Sequence, residues 1–229
     1  MYTKLRALAR SILNRLLRII HGDQNAWLKR CERILHIGAN QGQEIPLYAS
    51  FNLEVVWIEA IPAVFKRLQA NLTGIPKQTA LEALVTAEEG RECTFNIASN
   101  EGQSSSIYAL KDHVHLWPDI HYVDRVTLHS RRLENLLLEK GYAANHFDAA
   151  ILDVQGAELL VLQGAGAYMK NLQYVQCEAA DFEGYEGACN LATLTAFMAT
   201  QGFRIHKKHV LLSHKNIGTY YDVLFLRTT

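Results

Sequence analysis

From residue 33 onward, short apolar runs alternate with segments whose apolar positions recur at helical spacing. RILHIG (33–38), LEVVWIEA (53–60), ALEALVTAE (80–88), FDAAILDV (147–154) and LQYVQCEA (172–179) are rich in aliphatic and aromatic residues and end in glycine, acid or polar turns. Near-continuous apolar runs of this length predict strands buried on both faces. Between them, EIPLYASF (44–51), PAVFKRLQANL (62–72), SRRLENLLLEKG (130–141), GAELLVLQGAGAYMK (156–170) and ATLTAFMATQG (192–202) predict helices. Pro62 stands at a first helical position, where a missing N–H costs nothing, and Gly141 marks a stop. GRECTFNIAS (90–99) alternates as an extra β segment, and FRIHKK (203–208) and YYDVLFLR (220–227) close the chain as β. Such alternation predicts an α/β, Rossmann-like fold with a mostly parallel seven-stranded sheet and helices on both faces. The stretch 100–129 is the least regular and is predicted to be a long loop over one end of the sheet.

Residues 1–31 have a different pattern, so the chain is expected to divide into an N-terminal segment (1–31) and one α/β domain (32–229). On a helix, Leu5, Leu8, Ile12, Leu16 and Ile19 share one face, while Lys4, Arg6, Arg10, Arg15 and Arg18 carry positive charge and residues 1–20 contain no acid. The arginines interrupt every apolar core that a secretory signal would need. Two readings stay open: a helix docked on the domain, or an interfacial helix drawn to anionic lipid through residues 1–22. The block 21–25 would then end that helix and link it to the domain.

Composition narrows the partners. Lys+Arg and Asp+Glu number 23 each, which argues against a dedicated nucleic-acid binder. The four cysteines are scattered, with no zinc-like spacing, as suits a reducing compartment. No apolar stretch reaches the roughly 20 residues needed to span a bilayer. A cytoplasmic location is expected, with peripheral contact to the inner face of the membrane if the lipid reading of residues 1–22 holds. The sequence does not speak to oligomeric state.

The first candidate site begins where the first strand ends, at His36-Ile37-Gly38-Ala39-Asn40-Gln41-Gly42-Gln43. Gly38 and Gly42 allow a sharp turn and close approach to a ligand. Glu59 ends the next strand about 20 residues on, where an acid can accept hydrogen bonds from both hydroxyls of a ribose. A nicotinamide dinucleotide needs G-x-G-x-x-G; the positions here hold Gly38, Asn40 and Gln43, so two of three glycines are missing. S-Adenosylmethionine carries no phosphate and asks only for a wide turn and polar partners. It is the better fit.

The second candidate site is Asp153 in ILDVQGAE, at the carboxyl end of a buried strand, with Glu158 just beyond it and Glu178 ending the following strand. Carboxylates at neighbouring strand tops can orient a hydroxyl, accept its proton or bind a divalent cation. Asp153 could instead be a simple N-cap, and Glu158 a helix-start acid favoured by the dipole. DFEGYEGA (181–188) follows, placing Tyr185 and Glu186 on an acceptor-side loop. Among His113, His115, His121 and His129, HVH is a plausible metal-ligand pair, but their irregular loop lacks a nearby cysteine or a helical HxxxH, so they are expected to be structural or solvent-exposed and no metal is assigned.

Taken in order, HIGANQGQ, VVWIEAIP, NEGQSSSIY, DAAILDVQGAELLVLQGA and YYDVLFLR resemble the FkbM family of S-adenosylmethionine-dependent methyltransferases, from about residue 34 to 227. The resemblance implies a class I methyltransferase fold, S-adenosyl-L-methionine as cofactor, and methylation of an oxygen on a sugar, glycan or secondary metabolite. By position it implies that Gly38, Asn40, Gly42 and Glu59 hold the cofactor. Ser104, Ser105 and Ser106 match the family's serine run, and Ser105 is assigned to the cofactor site. Asp153 would stand nearest the chemistry, Glu178 would help orient the acceptor, and Glu158, Tyr185 and Glu186 would line the acceptor side. The family commonly has Asp where this chain has His36, a change expected to weaken contact with the cofactor's ammonium group. Two other readings compete: a nucleotide-dependent oxidoreductase, and a catalytically silent module that docks on a membrane or biosynthetic complex.

Overall fold

The computed structural model describes residues 24–228, so the basic segment 1–22 lies outside the described residues. The chain forms β1 (Arg33–Ile37), α1 (Ile45–Ser50), β2 (Glu54–Glu59), α2 (Pro62–Leu72), β3 (Gln78–Glu82), β4 (Leu84–Thr86), β5 (Glu92–Ala98), α3 (His113–Leu116) and β6 (Tyr122–Arg132). It continues with α4 (Leu133–Glu139), β7 (Ala149–Leu152), α5 (Glu158–Gln163), β8 (Tyr174–Ala180), α6 (Leu191–Thr200), β9 (Phe203–His214) and β10 (Gly218–Arg227). Seven strands make the main sheet in the order β3-β2-β1-β7-β8-β10-β9. The first five are parallel, and β10 runs antiparallel to both of its neighbours.

Strand alternation sends successive side chains to opposite faces. Leu35 and Ile37 of β1 join Val56, Ile58 and the helices α4, α5 and α6 in one core layer. Ile34 packs in the other layer with Val55, Trp57, Tyr48 of α1 and Phe65 and Leu68 of α2. Trp27 and Leu28, from a 3-10 turn at Ala26–Arg30, bury against that second layer. Each such side chain, fully buried, contributes about 1.5–3 kcal/mol.

Four expectations need correction. The run 80–88 is two strands: Ala83 N–H still donates to Glu59 O (3.0 Å), then the chain leaves the main sheet and Leu84 pairs with Ser130. The helix expected from residue 130 starts at Leu133, because Ser130–Arg132 are committed to β4. The stretch 100–129 carries a one-turn helix and most of β6, which pairs antiparallel with β5 in a three-stranded sheet, β4-β6-β5. That ribbon is largely exposed, so its pairing rests on backbone bonds more than on an apolar pattern. The helix expected over 156–170 breaks after Gln163 and resumes as a 3-10 turn at Gly166–Lys170. Gly166 adopts φ +52°, a conformation glycine takes without strain, and a Cβ there would press on the Glu134 carboxylate at 2.0 Å.

Candidate functional site

Strand order reverses between β1 and β7: the chain proceeds outward from β1 through β2 and β3, then crosses to β7 and β8. Loops leaving the carboxyl ends of β1 and β7 therefore diverge, and a crevice forms at that switch point, the usual ligand position in open α/β sheets. Here it is a cavity of about 450 Å³, within the roughly 300–1,000 Å³ range of small-molecule sites.

The turn after β1 forms its floor. Gly38 has φ +83°, and a Cβ on it would lie 1.9 Å from the carbonyl oxygen of Asp153. Its N–H and that of Ala39 both donate to Ile58 O, at 2.9 and 3.0 Å, while Asp153 N–H donates to Ile37 O at 2.9 Å. The tops of β1, β2 and β7 are thus stitched together at one glycine. Glu59 is buried, its Oε2 accepting from Asn40 N–H (2.8 Å) and its Oε1 from Ile61 N–H (2.7 Å). A carboxylate accepts about four hydrogen bonds, so capacity remains on the cavity side. Burial raises its pKa, opposed by those amide bonds.

The loop 100–107 closes over this turn. Asn40 Nδ2 reaches Glu101 O at 3.4 Å and Gln41 Nε2 reaches Glu101 Oε2 at 3.1 Å. The three serines tie the loop down: Ser104 Oγ accepts from Asn100 Nδ2 (3.0 Å), Ser105 Oγ accepts from Ala98 N–H (2.9 Å), and Ser106 Oγ donates to Gln155 O (2.7 Å). Apolar wall is supplied by Ile58, Ile61, Leu84, Val85 and Phe95.

Across the cavity stand the carboxyl groups of β7 and β8. Asp153 opens into the cavity and accepts from Gln155 Nε2 at 2.6 Å. Desolvation raises its pKa to about 6, against the lowering effects of Gln155 and His36. Glu178 is pushed well above the usual carboxylate range by burial, then by the charges of Asp153, Glu158 and Asp222. His36 is buried, stacked on Trp57 (centroids 5.1 Å) with Nδ1 3.0 Å from Tyr48 Oη, and burial lowers it to about 4 although Asp153 pulls the other way. It is a neutral ring.

The structure therefore brings Gly38, Asn40, Glu59, Ser105, Asp153 and Glu178 to one cavity. Gly42 sits behind the turn, where a Cβ would meet Ile45 Cδ1 at 2.5 Å. Glu158 faces away: its Oε1 accepts from Val154 N–H (3.1 Å) and its Oε2 from Gly156 N–H (3.1 Å), which braces the 153–158 turn, and burial raises it to about 7. Tyr185 is buried beside a smaller adjoining pocket and donates to Gln155 Oε1. Glu186 is exposed on the surface of its loop. The sequence reading named His113 as structural or solvent-exposed and left Trp117 aside; the structure buries His113 and sets both on the cavity wall. Only the tertiary placement of their single helical turn reveals them.

The donor set fits S-adenosylmethionine. A braced carboxylate at Glu59 suits a ribose, apolar side chains suit an adenine, and Glu44, following the turn, suits an ammonium. The same acids would repel a pyrophosphate, which speaks against the dinucleotide reading.

Among comparisons with known proteins, the family match points the same way. The profile of the methyltransferase FkbM domain matches residues 36–205. The 2-O-methyltransferase NoeI of Sinorhizobium fredii is 24% identical over 169 residues, covering 70% of this chain and 68% of that protein. Among solved structures, the 1,6-didemethyltoxoflavin-N1-methyltransferase of Burkholderia thailandensis, with its bound substrate and S-adenosylhomocysteine, superposes with a TM-score of 0.50 at 10% identity, over 100% of this chain and 86% of its own. A Streptococcus pneumoniae protein, Sp1610, superposes with a TM-score of 0.49 at 9% identity over 86% of this chain; the chain spans 64% of that protein, slightly under two thirds.

Proposed function

The chain belongs to the FkbM methyltransferase family and uses S-adenosylmethionine, and on that premise we propose that it methylates a hydroxyl oxygen of a sugar, glycan or secondary metabolite. The observation that carries the reading is the shared cavity of Glu59 and Asp153, one acid braced by two backbone amides and the other open with its pKa raised to about 6. When bound, the cofactor supplies a methyl group on a positively charged sulfonium.

Gly38, Asn40 and Glu59 hold the ribose end, with Gly42 packing behind the turn and Ser105 pinning the loop that closes over it. Asp153 is ionised at neutral pH and accepts the proton of the acceptor hydroxyl, a role worth roughly 10²–10⁴ in rate. Glu178, its pKa raised by burial and then by the neighbouring acids, orients the acceptor through a hydrogen bond. Closure by the loop 100–107 shields the cofactor turn from water, and alignment of the acceptor oxygen with the methyl group supplies a further share of the barrier. Tyr185 acts through Gln155, and Glu158 through the turn it braces; Glu186 would touch only a large acceptor reaching the loop surface. The 24% identity to a 2-O-methyltransferase supports oxygen as the methylated atom.

The acceptor is read as a small molecule or glycan and not a nucleic acid, supported by equal numbers of acidic and basic residues. The 1–31 and 32–229 division, with residues 1–22 on an anionic membrane face, is supported by five cations and no acid among the first 20 residues. Among the described residues no helix is long and apolar enough to cross a membrane. Titration calorimetry with S-adenosylhomocysteine, followed by a labelled-methyl transfer screen over glycans and small hydroxylated metabolites, tests the catalytic reading. Binding without transfer to any hydroxyl would leave a silent module. Co-sedimentation with anionic vesicles, with and without residues 1–22, tests the membrane contact; an unchanged bound fraction removes it.

A further inference from the structure

His113 opens the single turn of α3 and is only 3% exposed. Its ring stacks on Trp117 (centroids 4.5 Å) and lies 5.0 Å from Tyr185. Nδ1 stands 3.1 Å from Tyr220 Oη, while Nε2 is buried with no hydrogen-bond partner. An unsatisfied buried polar atom costs about 1–3 kcal/mol, and this one belongs to a ring lining the cavity that also holds Asp153 and Glu178. Its position is enforced from afar. Lys111 N–H and His113 N–H both donate to Gly184 O, at 3.0 and 3.1 Å, and Leu110 bridges to Tyr185, so the turn is clamped to the segment that follows β8.

On the hydroxyl-methylation reading above, we propose that His113 and Trp117 form the acceptor subsite, where a pyranose ring packs against the Trp117 indole and one of its hydroxyls pairs with His113 Nε2. Nε2 accepts if Nδ1–H donates to Tyr220, and donates if the Tyr220 hydroxyl does. A hydroxyl satisfies either tautomer, whereas a carboxylate or an ammonium satisfies only one. Burial lowers His113 to about 4, so the ring is neutral and offers no countercharge to an ionic ligand. A half-buried indole beside a neutral nitrogen matches a ligand with an apolar face and a polar edge.

The full-length chain is first tested for S-adenosylhomocysteine binding by calorimetry. It is then titrated, in the bound state, with methyl glycopyranosides presenting axial and equatorial hydroxyls. The His113 ring nitrogens are followed by long-range proton–nitrogen NMR, assigned by their loss in His113→Phe. At least one glycoside should move the Nε2 resonance and be methylated when S-adenosylmethionine is supplied. For that glycoside His113→Phe should lower kcat/KM about tenfold or more, with S-adenosylhomocysteine affinity unchanged, and His113→Gln should recover part of the loss. A panel that leaves Nε2 unmoved overturns the subsite, as does a shift produced by simple phenols and by no sugar. The wild-type titration in the S-adenosylhomocysteine-bound state keeps the test decisive even if the Phe variant fails to fold, because His113→Gln removes the same ring resonances and supplies the assignment. Absence of S-adenosylhomocysteine binding, read before any sugar is added, overturns the methyltransferase reading itself and is thereby told apart.

Discussion

The two walls of the cavity are built differently. On the β1–β2 side the polar groups are already satisfied: Glu59 accepts from two backbone amides, Asn40 Oδ1 accepts from Gln41 N–H at 2.8 Å, and the serine loop is tied to its own backbone. On the β7–β8 side they are less so: Asp153 accepts from Gln155 Nε2 and from no backbone amide, burial and neighbouring acids raise Glu178 well above the usual carboxylate range, and His113 Nε2 has no partner. A wall whose groups are fixed in advance can hold a ligand of constant shape without reorganising. A wall with unpaired and perturbed groups stores its interactions for the reacting partner. The cofactor side is therefore rigid and the acceptor side reactive.

Substitutions on the two walls should separate these roles. The largest effect is expected from Asp153→Asn, which should cut transfer by roughly 10²–10⁴ while leaving S-adenosylhomocysteine affinity within a few-fold; equal losses in both, by kinetics and calorimetry, would erase the distinction. Glu59→Ala should do the reverse, weakening S-adenosylhomocysteine binding by about 10–100-fold, the worth of one or two charge-assisted hydrogen bonds. Gly38→Ala touches both walls, because the new Cβ meets the Asp153 carbonyl at φ +83°; it should cost about 1–3 kcal/mol of stability, seen as a lowered Tm. The smallest effect is with pH. Asp153 acts when ionised, so kcat should climb about tenfold per unit on the acid side and level off above about 6, and that limb should vanish in Asp153→Asn. A flat wild-type profile between pH 5 and 7 would remove Asp153 as the base.

The cofactor wall was largely legible in the sequence because its signals are local: a glycine turn at a strand end and an acid at the next strand end, each set by its own backbone. The same locality made most core elements readable, from β1 to α6. It failed where pairing is non-local. Residues 80–88 look like one strand until Leu84 finds Ser130, and β6 hides in a stretch whose exposed side chains carry no core period.

By itself the sequence determined the α/β alternation, the buried parallel strands and the chemical types available at their tops, since hydrophobic periodicity and turn chemistry act over a few residues. Only the tertiary structure decided that Glu158 turns inward to brace a loop, that Glu186 faces solvent, and that His113 is buried at the cavity wall. Those outcomes depend on groups dozens of residues apart, Gly184 and Tyr220 for His113, whose meeting is set by how the sheet is ordered and not by any neighbour in the chain.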